Sequence, residues 1–176
     1  MFRKILLIAS LSASSLIAFA QTHKLIVGTY TNKGTSEGIY TYNYNSKTAE
    51  TKLKSVAKNV ANPSYLTLTS DKRFVYSVNE TGQSSTVSAF DFDSRSGKLT
   101  FLNKMQSQGA DPCYIIANGN NVIVANYSGG TIATFVTEGN GQLYNAKQII
   151  KHTGKSIDPL KRQESAHVHQ VLLTPD

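Results

Sequence analysis

Two histidines and an arginine lie close together in the segment Arg162-Gln163-Glu164-Ser165-Ala166-His167-Val168-His169. Residues i and i+2 of a β-strand point to the same side, so a strand here would place His167 and His169 on one face. Arg162 precedes them in a predicted loop, from which it can reach the same ligand. Two imidazoles beside a guanidinium can transfer a proton to a leaving oxygen and stabilise an oxyanion. The segment therefore predicts a catalytic site made of His167, His169 and Arg162, with Gln163 as a substrate-binding residue.

Two other interpretations of the histidine pair stay open. A zinc site of the H-x-H type needs a third ligand, for which His152 or Asp158 would have to be recruited. Alternatively, one histidine only forms a hydrogen bond with a neighbouring loop, which is an ordinary role for an isolated histidine. Three polar groups of this kind within eight residues favour a functional site over that role.

Polar residues also follow two similar strand-like segments. Asn79-Glu80 ends one of them, and Asn126-Tyr127-Ser128-Gly129-Gly130 ends the other. Glu80 is a candidate base or hydrogen-bond acceptor and Asn126 a candidate positioning group, and both are predicted to bind substrate. Turn chemistry accounts for the same residues equally well, since Asn and Gly are common where strands end.

One further motif suggests a nucleophile. Gly34-Thr35-Ser36-Glu37-Gly38 matches the G-x-S-x-G elbow, which requires a strand before it and a helix after it. Both flanking segments have strand patterns, so we interpret this motif as a hairpin connection. Cys113 is the only cysteine of the chain, which excludes an internal disulfide and a cysteine-based zinc site.

The segments that carry these residues recur along the chain with a period of about 45–50 residues. Asn62-Pro63-Ser64-Tyr65 returns as Asp111-Pro112-Cys113-Tyr114, and the strand before Glu80 returns before Tyr127. A third landmark occurs three times, around Ile39, Val87 and Ile132, and residues 171–176 align with residues 66–71. The chain is therefore predicted to consist of structural repeats.

Each repeat contains about four short segments rich in β-branched and aromatic residues, separated by Gly and Asn turns. No segment after residue 20 shows a sustained helical period. Repeats of this length and content are typical of β-propeller blades. Propellers close with roughly four to eight blades. Because about three to three and a half fit here, we expect an N-terminal fragment of a longer propeller.

The first 20 residues have the pattern of a cleaved secretory signal peptide. Arg3-Lys4 precedes an apolar run, and Ala18-Phe19-Ala20 ends it with small residues at the positions that signal peptidase reads. We therefore expect residues 21–176 to form the exported domain, periplasmic or secreted and free of the membrane. The net charge of +7 is spread along the sequence without a basic stripe, which argues against nucleic-acid binding.

Several motifs in one order, spanning nearly all of residues 24–176, resemble the lactonase-type seven-bladed β-propellers. That family includes the propeller form of 6-phosphogluconolactonase and the fungal carboxymuconate lactonising enzyme. The motifs are Val27-Gly28-Thr29-Tyr30-Thr31, Asn62-Pro63-Ser64-Tyr65-Leu66, Val78-Asn79-Glu80, Asp111-Pro112-Cys113, Ala125-Asn126-Tyr127-Ser128-Gly129-Gly130 and Arg162-Gln163 with His167-Val168-His169.

The resemblance implies a lactone-handling site that uses no metal or cofactor and is built from His and Arg with carboxylate help. It falls on Arg162, His167 and His169, with Glu80 and Asn126 as supporting residues. The family usually has Pro before the first His, where this chain has Ala166. Further Arg and acidic residues of the family's site belong to later blades, so this chain is expected to hold only part of the site.

The expected function is ring-opening hydrolysis of a small-molecule lactone, as in 6-phosphogluconolactonase. Export conflicts with a phosphorylated sugar substrate from the cytoplasm, so a sugar lactone or another cyclic ester outside the cytoplasm is at least as good a candidate substrate. Two alternatives stay open: an exported propeller that binds a ligand or partner without catalysis, and a calcium-dependent lactonase. The second would need several carboxylates around the axis, of which only Glu80 is well placed.

Overall fold

The chain is described by a computed structural model that covers residues 22–157, 160 and 162–175. The predicted signal peptide lies outside the described residues. Within them the chain forms eleven β-strands and one short 3-10 turn at Gly82–Ser84, which confirms the all-β prediction. The strands are β1 Thr22–Val27, β2 Gly38–Asn45, β3 Thr51–Lys58, β4 Leu66–Leu68, β5 Phe74–Asn79, β6 Thr86–Asp93, β7 Lys98–Gln106, β8 Pro112–Asn118, β9 Asn121–Asn126, β10 Thr131–Thr137 and β11 Leu143–Lys151.

The strands form three antiparallel sheets in which neighbours in sequence are neighbours in space. Sheet one has the order β1-β2-β3, sheet two β4-β5-β6-β7 and sheet three β11-β10-β9-β8. Sheets two and three are the four-stranded meanders that the repeat predicts for propeller blades. The predicted period is thus confirmed as one sheet per repeat.

The repeats agree down to individual irregularities of register. A register shift follows Thr41 in the β2–β3 pair, Ala89 in the β6–β7 pair and Thr134 in the β10–β11 pair. Each shift lies two residues after a recurring landmark (Ile39, Val87 or Ile132). A bulge increases local twist and bends the strand. The three outer pairs therefore share this irregularity, and the β10–β11 pair has a second one between Phe135 and Thr137.

Two apolar clusters hold the sheets against each other. Between sheets one and two, Ile39 packs with Val75, Phe90 and Leu99. Between sheets two and three, the cluster joins Tyr76 and Val78 of β5 to Ile115, Val124 and Phe135. β5 is buried along its whole length, because both of its faces contact a neighbouring sheet.

The predicted nucleophile elbow lies between β1 and β2, which pair antiparallel. The element that follows Ser36 is the strand β2 and not a helix. The interpretation of this motif as a hairpin connection is confirmed.

The predicted strand through His167 and His169 is not formed: residues 166–175 have no strand assignment. The equivalent segments of the other repeats, β4 and β8, pair with the strand that follows each of them. Residues 166–175 have no such strand partner among the described residues, and a strand is defined by its ladder of backbone hydrogen bonds. The two histidines are therefore brought together by a different arrangement, described below.

Candidate functional site

Three residues occupy one equivalent position in the three sheets. Tyr30 follows β1, Glu80 follows β5 and Tyr127 follows β9. The strand registers put these residues in correspondence, since Val78 faces Val87 and Ala125 faces Ile132. We call the surface on which these residues and residues 162–169 lie the loop face.

Tyr30 and Glu80 connect sheets one and two across the loop face. The Tyr30 hydroxyl donates a hydrogen bond of 2.5 Å to Oε2 of Glu80. This bond, followed by partial burial and the negative charge of Glu80, raises the pKa of Tyr30 to about 12. Tyr30 therefore keeps its proton at neutral pH and fixes the Glu80 carboxylate, while no described residue bonds to the other carboxylate oxygen.

A second line of equivalent residues runs beside the first. The rings of Tyr65 and Tyr114 lie 4.5 Å apart, and the Gln170 amide donates a 3.4 Å hydrogen bond to the Tyr114 hydroxyl. A hydrogen bond with Tyr114 raises the pKa of Tyr65. Burial, with a smaller contribution from the Glu80 charge, raises the pKa of the Cys113 thiol. Cys113 is thus held as a neutral thiol close to Glu80 rather than as a reactive thiolate.

Tyr127 brings the two predicted histidines together. The His167 ring stacks on Tyr127 with centroids 4.4 Å apart and planes 9° from parallel. The His169 ring meets the same phenol edge-on, at 5.6 Å and 89°. Arg162 and Gln163 join these three side chains in lining one open cavity of about 430 Å³. Four of the six predicted site residues (Arg162, Gln163, His167 and His169) therefore share one cavity.

The segment before His167 docks against the turn that follows β9. Nδ1 of His167 lies 3.0 Å from the carbonyl oxygen of Tyr127, and Nε2 lies 3.2 Å from the carbonyl oxygen of Arg162. Gly130 has φ +61°, and a Cβ on it would lie 2.6 Å from the Ala166 carbonyl oxygen. Only glycine fits that approach without strain. The Ser128-Gly129-Gly130 turn is therefore shaped to receive this segment.

Arg162 and Gln163 lie on a long connection between β11 and His167. Sheet one leads to Asn62 through residues 59–61, and sheet two leads to Asp111 through residues 107–110, whereas residues 152–166 separate β11 from His167. Backbone hydrogen bonds between described residues hold parts of this connection. The His152 amide donates to Gly130 at 2.8 Å, and the Ser156 amide donates to Gln163 at 2.9 Å.

Asn126 does not line this cavity. Its side chain is fully buried, and its amide donates 2.9 Å hydrogen bonds to the Ser107 carbonyl oxygen and the Thr131 hydroxyl. Asn79, at the same position of sheet two, is buried in the same way and bonds to Ala61 and Ser88. The repeated pattern indicates a structural role for Asn126, so the predicted contact with substrate does not fit its position. Glu80 lies on the loop face but outside the residues that line the cavity around Arg162.

The sequence pattern gave no role to Tyr127, although this residue contacts both histidines. Its equivalence to Glu80 was the available signal, because a polar or aromatic residue at the same place in each repeat marks a shared surface. Asp158, one suggested third zinc ligand, lies outside the described residues. No group of three His, Cys, Asp or Glu side chains suited to a metal occurs in the part of the chain that the structure covers.

Comparison with known proteins places this geometry in a family. A family model described as "Lactonase, 7-bladed beta-propeller" matches residues 24–176. The chain is 34% identical over 152 residues to the 6-phosphogluconolactonase of Bacillus subtilis, covering 85% of this chain and 43% of that protein. It is 28% identical over 149 residues to the 6-phosphogluconolactonase of Formosa agariphila, covering 82% and 42%.

Solved structures agree with these matches. A candidate 6-phosphogluconolactonase of Bacteroides fragilis superposes with a TM-score of 0.83 at 45% identity, covering 88% of this chain and 43% of that one. A periplasmic gluconolactonase of Pseudomonas aeruginosa superposes with a TM-score of 0.73 at 32% identity, covering 79% and 41%. The chain thus spans less than half the length of each of these relatives. The sequence and the fold together show that this chain belongs to the lactonase family of seven-bladed β-propellers.

Proposed function

We propose that the protein containing this chain hydrolyses a sugar lactone by opening its ring. The observation that carries the proposal is the convergence of Arg162, His167 and His169 on Tyr127 around one open cavity. The 6-phosphogluconolactonases at 34% and 28% identity support the same reaction class. The chain covers 43% or less of those two proteins, so we propose that further blades complete the site.

The reaction requires three contributions from the protein. A base takes a proton from water as the water oxygen attacks the ester carbonyl carbon. A cation stabilises the tetrahedral oxyanion, a task suited to the Arg162 guanidinium. An acid then protonates the ring oxygen as the C–O bond breaks. An imidazole can serve first as the base and then as the acid.

We further propose an exported protein that acts on an unphosphorylated sugar lactone. The predicted signal peptide supports export, and one similar structure is that of a periplasmic gluconolactonase. In the described part of the chain, no helix is long and apolar enough to cross a membrane. An unphosphorylated lactone fits an extracytoplasmic enzyme better than an intermediate retained in the cytoplasm by its phosphate.

The experiment compares two substrates on the polypeptide encoded by the complete reading frame that contains these residues. Proton release from glucono-δ-lactone and from 6-phosphogluconolactone is followed at pH 6.5, where spontaneous opening is slow. We expect saturable acceleration with at least the unphosphorylated lactone. Rates equal to the spontaneous ones with both lactones would reject the enzyme. If calorimetry then detected lactone binding without turnover, the non-catalytic propeller would be the better description.

A further inference from the structure

His167 occupies a position that the other repeats use to join neighbouring sheets. Since residues 171–176 align with 66–71, His167 corresponds to Asn62 and Asp111. Asn62 has φ 42° and Asp111 φ 51°, a left-handed conformation that Asn and Asp tolerate better than most residues. Each stands directly before the proline at the start of its repeat's inner segment. The two earlier repeats therefore share a left-handed backbone at this position, whereas His167 does not adopt it.

The side chain at this position bonds to the exit loop of the preceding sheet. Oδ1 of Asn62 accepts hydrogen bonds from the amides of Thr31 (2.9 Å) and Asn32 (3.0 Å). Oδ1 of Asp111 accepts one from the amide of Gly82 at 2.9 Å. Nδ1 of His167 reaches the equivalent loop at the Tyr127 carbonyl oxygen. His167 thus bridges neighbouring repeats as Asn62 and Asp111 do, but it faces a carbonyl oxygen as a donor where they accept from amides.

Both nitrogens of His167 are engaged with the backbone. Nδ1 faces the Tyr127 carbonyl and Nε2 faces the Arg162 carbonyl. Carbonyl oxygens only accept hydrogen bonds and a neutral imidazole has one N–H, so the neutral ring donates to one of the two carbonyls and the imidazolium to both. The ring is also stacked flat on Tyr127. A group that shuttles a proton needs a nitrogen that faces substrate or water. The geometry of His167 instead suits a residue that holds the Tyr127 turn and the Arg162 segment together.

His169 has the opposite surroundings. It corresponds to Ser64 and Cys113, is exposed, and touches Tyr127 only edge-on. No described residue hydrogen-bonds to its ring nitrogens, and the hydrogen bond recorded at His169 uses its backbone carbonyl. Its imidazole borders the same cavity as Arg162. Both ring nitrogens are therefore open to a ligand.

We infer that the two histidines have separate roles, with His169 as the acid–base residue and His167 as a positioning residue. This division rests on the proposed lactone hydrolysis. The His169 imidazole takes one proton from the attacking water while the new C–O bond forms. The ring C–O bond then breaks, and the same proton passes from His169 to the departing ring oxygen. The product is the open hydroxy acid, which releases its carboxylic proton to solvent.

Substitutions by asparagine separate the two roles, because Nδ2 of Asn occupies the place of Nδ1 of His. H167N keeps a donor to the Tyr127 carbonyl oxygen, whereas H167A loses it. In the polypeptide of the complete reading frame we expect H169N to lower kcat/KM by at least ~100-fold. H167A should lose activity and lower Tm together, and H167N should restore Tm and bring kcat/KM to within about tenfold of wild type. His152→Asn, in the same connection but outside the cavity, is the matched control.

The pH–rate profile gives a second measurement that a structural role would not change. H167N should keep the acidic limb of the wild-type profile, and H169N should lose it. The reverse pattern, with H167N inactive and H169N close to wild type, would overturn the inference. If wild type opens no lactone, the proposed function and the role of His169 fail together. The positioning role of His167 is then still decided by whether H167N restores the Tm lost in H167A.

Discussion

Two junctions between neighbouring repeats, one at Asn62 and one at His167, are held by side chains of different chemistry. Where sheet one meets sheet two, a short connection leads to Asn62, and the neutral amide of Asn62 binds the loop after β1. Where sheet three meets residues 166–175, a long connection carries Arg162 and Gln163, and an imidazole binds the loop after β9. The fold needs a hydrogen-bonding residue at this position, but it needs neither an imidazole nor an added loop. The added groups are therefore the ones to associate with function.

Within the loop face, the same comparison distinguishes residues that join two sheets from residues that line the cavity. Tyr30, Glu80 and Tyr127 occupy one position, yet Tyr30 and Glu80 are joined to each other by a single short hydrogen bond. Tyr127 instead presents its ring to two imidazoles. At this equivalent position, Tyr30 and Glu80 join sheets one and two, whereas Tyr127 lines the cavity at the next junction.

The largest effect is expected when the Arg162 guanidinium is removed from the long connection between β11 and His167. Arg162→Ala leaves the backbone carbonyl that faces His167 in place, and interactions of an exposed side chain contribute little to stability, so Tm should change by only a small amount. Loss of one group that stabilises an oxyanion costs ~100-fold or more in kcat, and we expect that loss in lactone hydrolysis. Arg95→Ala, in the β6–β7 turn, is the matched control and should leave both kcat and Tm unchanged. Activity of Arg162→Ala within threefold of wild type would remove Arg162 from the site.

A smaller effect, on the free energy of unfolding, is expected at the junction between sheets one and two, which Asn62 holds. Asn62→Ala removes bonds to two amides and to the Glu80 carbonyl oxygen, and it leaves alanine in a left-handed conformation. The free energy of unfolding should fall by about 2 kcal/mol, measured by urea denaturation. Asp111→Asn, which keeps an acceptor for the Gly82 amide, should change it by less than about 0.5 kcal/mol. A loss in Asn62→Ala no larger than that in Asp111→Asn would contradict the Asn62 side-chain hydrogen bonds as a source of stability.

Much of the fold was predictable because its signals are local and repeated. Alternating β-branched residues and Gly turns predicted the strands, and the recurrence around Ile39, Val87 and Ile132 predicted the sheets. The strand through His167 was the exception. The same local pattern forms β4 and β8, but a strand also needs a partner, and the pattern of a single segment does not contain one.

The site was predictable as a cluster but not as a geometry. Arg162, His167 and His169 are close in sequence and line one cavity, while their catalytic role stays a prediction. Asn126 was placed with them because Asn is equally suited to a pocket wall and to an interior bond, and only burial distinguishes the two. Tyr127 was missed because its contacts with the histidines cross from one repeat to the next.

The smallest expected effect lies at the Tyr30–Glu80 junction and depends on pH. The pKa of Tyr30 is raised to about 12 from its ordinary value of 10.0, so this bond stabilises the fold fully below about pH 10 and loses its effect as the pH rises toward 12. Tyr30→Phe should therefore be less stable than wild type at pH 8–9, with a difference that disappears by pH 12. Because Tyr30 is 51% exposed, the difference should be well below 1 kcal/mol. Denaturant unfolding of both proteins across this range measures it, and a difference that grows with pH would contradict the assigned bond. Tyr44→Phe, on β2 outside the loop face, controls for the general cost of removing a phenol hydroxyl.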